Sequence, residues 1–273
     1  MTLVTSTFSL GDREAPPITV SALEFDVLWE HLRLGDMPLV VKVPSPGKTH
    51  EERALLEARV WADLEERGLG RPVEVDPDIE EILGILARPA REVDARVHVG
   101  RQVRVLGAIT GEAAAVAELS EDTVTLRRAS VPSMPAAVLA ALPPVPAGPG
   151  RSVTLPTADF EHAAQNAGRT REGFGEALLA TGLRADDAEA LVEMIKDVAH
   201  TGNFGAAARD HLGRRRRGER VVSFFDTEDG RYVQVRRPAD DGSMWTTISP
   251  ADLRKLTHHV TELLDEVVAE VAR

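Results

Sequence analysis

Cysteine is absent from the 273-residue chain. That excludes disulfides, zinc–thiolate sites and thiol nucleophiles, and it leaves the redox compartment open, because a chain without thiols tolerates either. Aromatics are scarce: seven Phe, three Trp and one Tyr. The core is therefore expected to be aliphatic, and each aromatic is a candidate for a specific task. No uncharged apolar run approaches ~18 residues, and the opening MTLVTSTFSLGDREAPP lacks a basic segment followed by an apolar one. The expectation is a cytoplasmic protein, neither exported nor inserted in a membrane. Positive charge is also short, with 32 Lys and Arg against 44 Asp and Glu and a net charge of -12. Such a surface repels nucleic-acid phosphates.

What is present is a chain with 43% hydrophobic residues, enough for a sizeable core. Ser21 with Glu24, and Thr49 with Glu52, have the spacing of capping boxes, and Asp76 followed by Pro77 suits a third helix start. Between the first two helices MPLVVKV reads as a strand. From Ala95 to Ala129 four β-branched or alternating segments, separated by turn residues, predict an antiparallel meander, followed by a short helix near residues 135–142. The stretch from 145 to 157 is too rich in proline and glycine for regular structure and reads as a linker. It divides an N-terminal half, 1–144, from a C-terminal half, 158–273. The second half repeats the order of the first, ADDAEALVEMIKDVA answering DPDIEEILGILARP and the segment from Arg220 to Ser249 answering the meander. The prediction is an α+β protein, a central antiparallel sheet flanked by helical bundles, with two pseudo-twofold halves. The last helix is assigned Ser249 as N-cap, Pro250 at its first position and Asp252 completing a box. Its apolar stripe runs from Leu253 through Leu256, Val260, Leu263, Leu264, Val267 and Val268 to Val271. Such a stripe usually seats on its own chain, but it could also seat on a second copy.

Motifs for chemistry are weak. Gly47-Lys48-Thr49 lies where a phosphate loop would, yet Lys42 stands where its first glycine belongs, and Pro44 and Pro46 lack the N–H groups that cradle phosphate. His258, His259 and Glu262 share a helix without a visible third ligand, and neither a nucleophile elbow nor a dinucleotide fingerprint occurs. The reading is no enzyme, no cofactor and no metal. Arg214 to Arg217 are expected in a solvated loop, since four adjacent arginines cannot all be paired, with an acidic partner the next reading. Phe204, Phe224, Phe225, Tyr232 and Trp245 gather in the second half. On one strand Phe224 and Phe225 must face opposite sides.

The phrases ITVSALEFDVLWEHLRLGDMPLVVKVPSPGKTHEERA and MWTTISPADLRKLTHHVTELLDEVV resemble the EspG family of ESX (type VII) secretion-associated proteins of actinobacteria. The resemblance implies a cytosolic, non-catalytic chaperone that covers the apolar tip of the PPE protein in a PE–PPE heterodimer and delivers it to ESX secretion components. It identifies no single contact residue. From the aromatic cluster, Phe204, Tyr232, Val233, Val235 and Trp245 are the candidate partner-binding residues. The alternative is an adaptor that forms a homodimer through its last helix.

Overall fold

The computed structural model describes residues 16–168 and 170–273; the leader-free reading of residues 1–15 lies outside them. The first half runs β1 (Ile18–Ser21), α1 (Ala22–His31), α2 (His50–Glu66), a small hairpin of β2 (Gly70–Arg71) and β3 (Glu74–Val75), α3 (Pro77–Ala87), β4 (Arg91–His98), β5 (Gln102–Thr110), β6 (Ala113–Ser120), β7 (Thr123–Ala129) and α4 (Met134–Leu139). The second runs β8 (Val153–Pro156), α5 (Thr157–Asn166), α6 (Arg171–Ala180), α7 (Ala185–Met194), β9 (His200–Arg209), a short β10 (Arg215–Arg217), β11 (Val222–Thr227), β12 (Gly230–Pro238), β13 (Met244–Pro250) and α8 (Leu253–Val271). Leaving aside the hairpin and β10, each half is a strand, three helices, four strands and a closing helix.

The strands form one antiparallel sheet in the order β1-β7-β6-β5-β4-β9-β11-β12-β13-β8, with β10 beside β9. Exchanging each strand for its counterpart in the other half reverses this order, which is what a twofold axis through the β4–β9 seam requires. Two-residue turns, Gly111-Glu112 and Glu228-Asp229, align Thr110 with Thr227, and the registers then place the axis at the Ala95–Phe204 pair. The same alignment matches Ser21 with Pro156, each of which immediately precedes a helix. The α+β architecture with quasi-symmetric halves is thus present.

Helix starts follow the sequence closely. Ser21 N donates to Glu24 Oε2 at 2.6 Å while Glu24 N donates to Ser21 Oγ at 3.2 Å; Thr49 and Glu52 repeat the arrangement, and Asp76 Oδ1 accepts from Asp78 N and Ile79 N. Each cap contributes about 1 kcal/mol. Elsewhere the chain differs. Residues 37–43 form no strand: Val40, Val41 and Val43 are all buried, and adjacent inward residues break the strand period. Instead Val41 N bonds Pro38 O, and the Trp29 indole donates to Gly35 O at 2.8 Å. Part of the expected linker is β8, an edge strand whose Val153 and Leu155 are buried and whose Pro156 ends it where no N–H is needed. Ser249 does not cap α8. It pairs with Val233 inside β13, and Asp252 is the cap, accepting from Lys255 N at 2.8 Å.

One face of the sheet is covered by α4 and α8, over a core shared by both halves: Val93, Ala95, Val105, Phe204, Phe224, Val233 and the α8 stripe of Leu256, Val260, Leu263, Leu264 and Val267. That stripe is used on its own sheet, so a homodimer through α8 finds no apolar face there. The other face carries two separate bundles. Helices α1 to α3 cover Leu106, Ala117, Leu119 and Val124, and α5 to α7 cover Val153, Phe225, Tyr232 and Ile248. Phe224 and Phe225 do face opposite sides, the first 6.0 Å from Phe204 and the second stacked on Tyr232 at 5.2 Å.

A buried ion pair fixes the connection between halves. Arg231, 0% exposed, donates from Nε to Asp226 Oδ1 at 2.7 Å and from Nη2 to Asp226 Oδ2 at 2.9 Å, and it lies over the Phe224 ring. Its Nη2 also reaches Pro143 O, its main chain bonds Pro146 and Gly148, and a Cβ on Gly148 would strike the Tyr232 ring. Removing one partner of such a pair leaves an uncompensated buried charge. Asp226→Ala is therefore expected to cost about 3–5 kcal/mol in a urea unfolding curve; a loss below ~1 kcal/mol would show that the pair is not holding this segment.

Candidate functional site

Between the two bundles the middle of the sheet is uncovered, and the sequence marks the place. One lateral row of facing residues reads Val124, Leu119, Arg104, Arg96, Asn203, Ser223, Gln234, Ile248 and Val153 from β7 across to β8. Its ends are apolar and lie beneath the bundles; its five central members are polar. Here the sheet floors a groove of about 630 Å³, walled by the 36–40 turn, Ala87 and Pro89 on one side and by β10 and Val221 on the other. Leu39, 76% exposed, and Val221 stand at its rim. Protein-binding surfaces usually have an apolar centre and a polar rim; here exposed apolar side chains instead edge a polar floor, so the groove offers both kinds of contact side by side.

The β10 wall holds the arginine run, which is exposed as expected but is a paired strand segment rather than an unpaired loop. In β10 alternate residues point the same way, so Arg215 and Arg217 both reach carboxylates on β4: Arg215 Nε donates to Glu92 Oε1 at 2.8 Å and Arg217 Nη2 to Asp94 Oδ2 at 3.1 Å. Arg214 and Arg216 share Asp210, at 2.9 and 3.7 Å. All four arginines are paired because the hairpin deals them to three different carboxylates. Burial would raise the Asp210 carboxyl, but donation from the Arg214 and Leu212 N–H groups and from the Arg214 guanidinium outweighs it and holds Asp210 below the usual carboxylate range. The hydrogen bond to Asp94 makes Arg217 hold its proton more tightly than an ordinary guanidinium.

The five candidates drawn from the sequence do not meet at one surface. Phe204, Val233 and Val235 lie in the core beneath α8, and Tyr232 lies under the second bundle; all four are buried. Trp245, 38% exposed, donates to Ser243 Oγ and stands opposite Arg237 on the α8 side of β13, away from the groove. The aromatic grouping was a core signal. The groove residues Leu39, Asp94, Arg96 and Val221, with Arg104 beside them in the same lateral row, carry no distinguishing sequence signal, since charges alternating with valine in DARVH and QVRV read as any solvated strand face.

The weaker motifs resolve into local structure. Thr49 caps α2, and Lys48 N donates to Glu52 Oε2. His259 Nδ1 and His258 Nε2 lie 3.1 and 3.5 Å from Glu262, which also accepts from Arg237. Among the described residues no cluster of three or more potential ligands is found, and no helix is long and apolar enough to cross a membrane.

A family model described as the EspG family matches residues 21–262. Among solved structures the chain is similar to the type VII secretion system chaperone EspG5 of Mycobacterium tuberculosis, determined in complex with a PE25–PPE41 dimer. The identity is 20% over 92% of this chain and 96% of that one, with a TM-score of 0.70, and at that identity the likeness establishes the fold. No curated protein matches the sequence.

Burial pushes the His259 imidazole below its ordinary value, and its contact with Glu262 only partly offsets this. The unfolded chain thus binds the proton more readily, so stability is full above pH ~6.5 and is lost as pH falls through the lowered folded value. Urea midpoints between pH 7 and 5 should fall further for the wild type than for His259→Gln; parallel curves would remove His259 as the cause.

Proposed function

The chain belongs to the EspG family, and from that membership we propose that it is a cytoplasmic chaperone that binds PE/PPE-like heterodimers, keeps them soluble and delivers them to an ESX (type VII) secretion system, without catalysing a reaction. The observation that carries this reading is the family match, which spans both bundles, every strand of the sheet except most of β1, and about half of α8. The groove supports it from the side of chemistry. Its rim offers Leu39 and Val221 to an apolar tip, and its floor presents polar groups on a rigid sheet rather than on a loop. The carboxylates Glu92 and Asp94 are each engaged by an arginine, which leaves neither placed as a free acid or base.

Co-expression with a PE–PPE-like pair from the same genome, followed by size-exclusion chromatography with light scattering, tests the proposal. A one-to-one-to-one complex is expected, with cargo that aggregates when the chaperone is omitted; separate elution with soluble cargo would overturn it. Leu39→Asp and Val221→Asp should each weaken binding by tenfold or more, about 1.4 kcal/mol or greater. Trp245→Ala serves as the opposing probe: lost binding there, with both rim variants intact, would move the site to the α8 side of the sheet.

A further inference from the structure

The groove lies on a near-symmetric axis but its charge is not symmetric. The twofold at the Ala95–Phe204 pair exchanges Arg96 with Gly205 and Arg104 with Val221. The first half therefore presents two unpaired cations where the second presents an exposed valine and a glycine covered by the Arg217 guanidinium, whose charge Asp94 already neutralises. Arg96 and Arg104 stand directly opposite each other on β4 and β5, an arrangement of like charges that weakens a sheet. Among the described residues no carboxylate lies within 4.0 Å of either. Arg104 makes only a 3.4 Å bond to the Lys42 carbonyl. The acid nearest along the strand on the same face, Asp94, is held by Arg217. Two arginines without a carboxylate partner at directly opposed strand positions are unusual in a chain with 44 acidic residues and net charge -12, especially when the four arginines of the neighbouring hairpin all find partners.

We propose that Arg96 and Arg104 form a carboxylate-binding subsite: the partner protein seated in the groove places an acidic side chain against them and an apolar one against Val221, and this charge difference fixes which way round an asymmetric partner lies. Paired, planar donors suit a carboxylate better than a single ammonium would. The proposal rests on the reading that the groove receives a PE–PPE-like dimer, and it adds the chemistry that orients that dimer.

The test measures affinity for the co-expressed PE–PPE-like heterodimer at low and high ionic strength. Arg96→Gln/Arg104→Gln should bind about tenfold or more weakly than wild type at low salt, with a flatter salt dependence. The charge-matched control Arg59→Gln/Arg254→Gln removes two exposed cations on α2 and α8 and should change affinity less than ~2-fold. Relief of the like-charge pair predicts an unfolding midpoint for the Arg96/Arg104 variant no lower than wild type, which separates lost binding from lost fold. Equal affinities and salt slopes for wild type and the Arg96/Arg104 variant, or equal weakening by the control, would overturn the subsite while leaving the chaperone reading in place. A wild-type chain that binds no such dimer would overturn both.

Discussion

The pairing of β4 with β9, from Arg91 opposite Ala208 to His98 opposite Thr201, is the interaction on which the remaining structure depends. It makes one sheet out of two, and it does so with an amphipathic seam. Toward α8 it presents Val93, Ala95, Val97, Phe204, Ala206 and Ala208; toward the other side it presents Glu92, Asp94, Arg96 and Asn203. At ~25 cal/mol per Å² of buried apolar surface, the α8 side accounts for most of the favourable term. That side closes the seam, so the opposite face of the same strands need not be covered, and the two bundles can stand apart with a polar floor between them.

The floor is rigid for the same reason. Gly202 and Gly205 sit on β9 where a Cβ would strike the Phe224 ring or the Arg217 guanidinium, so the ring above and the ion pair below approach the strand closely. Each glycine weakens a strand intrinsically, and packing on both sides offsets the weakness. Binding surfaces built on such strands move little when a partner arrives, which lowers the ordering cost of association.

Local rules made some of this legible in advance. Caps at Ser21, Thr49 and Asp76 use contacts within three residues, and the first meander alternates cleanly, so both could be read without knowing the fold. The repeat was legible as an order of elements, because duplication preserves pattern after identity has faded. What could not be read is what depends on distant neighbours. HTGNFGAAAR has poor strand propensity, yet it is the central strand, since its small residues answer Phe224 and Arg217. Ser249 and Pro250 look like a helix start, but β12 holds Ser249 in the sheet. The valines at 40, 41 and 43 are buried in the cluster beneath α1 to α3, and aromatics that suggested a surface are core because α8 covers Phe204 and Phe224 on one face and the second bundle covers Phe225 and Tyr232 on the other.

Arg231 has a further consequence for what the two halves can be apart from each other. Its counterpart in the first half is Ala114, so the buried ion pair belongs to one repeat only; the connecting segment adds the Pro143 carbonyl, which accepts from the guanidinium, and the Pro146 carbonyl, which accepts from the Arg231 main-chain N–H. A half-length chain assembling as a symmetric dimer could reproduce the seam, but it would have no segment arriving at that point to receive the guanidinium. The two halves are in that sense not interchangeable: the connection is part of the second half's interior, although the strand order is nearly symmetric.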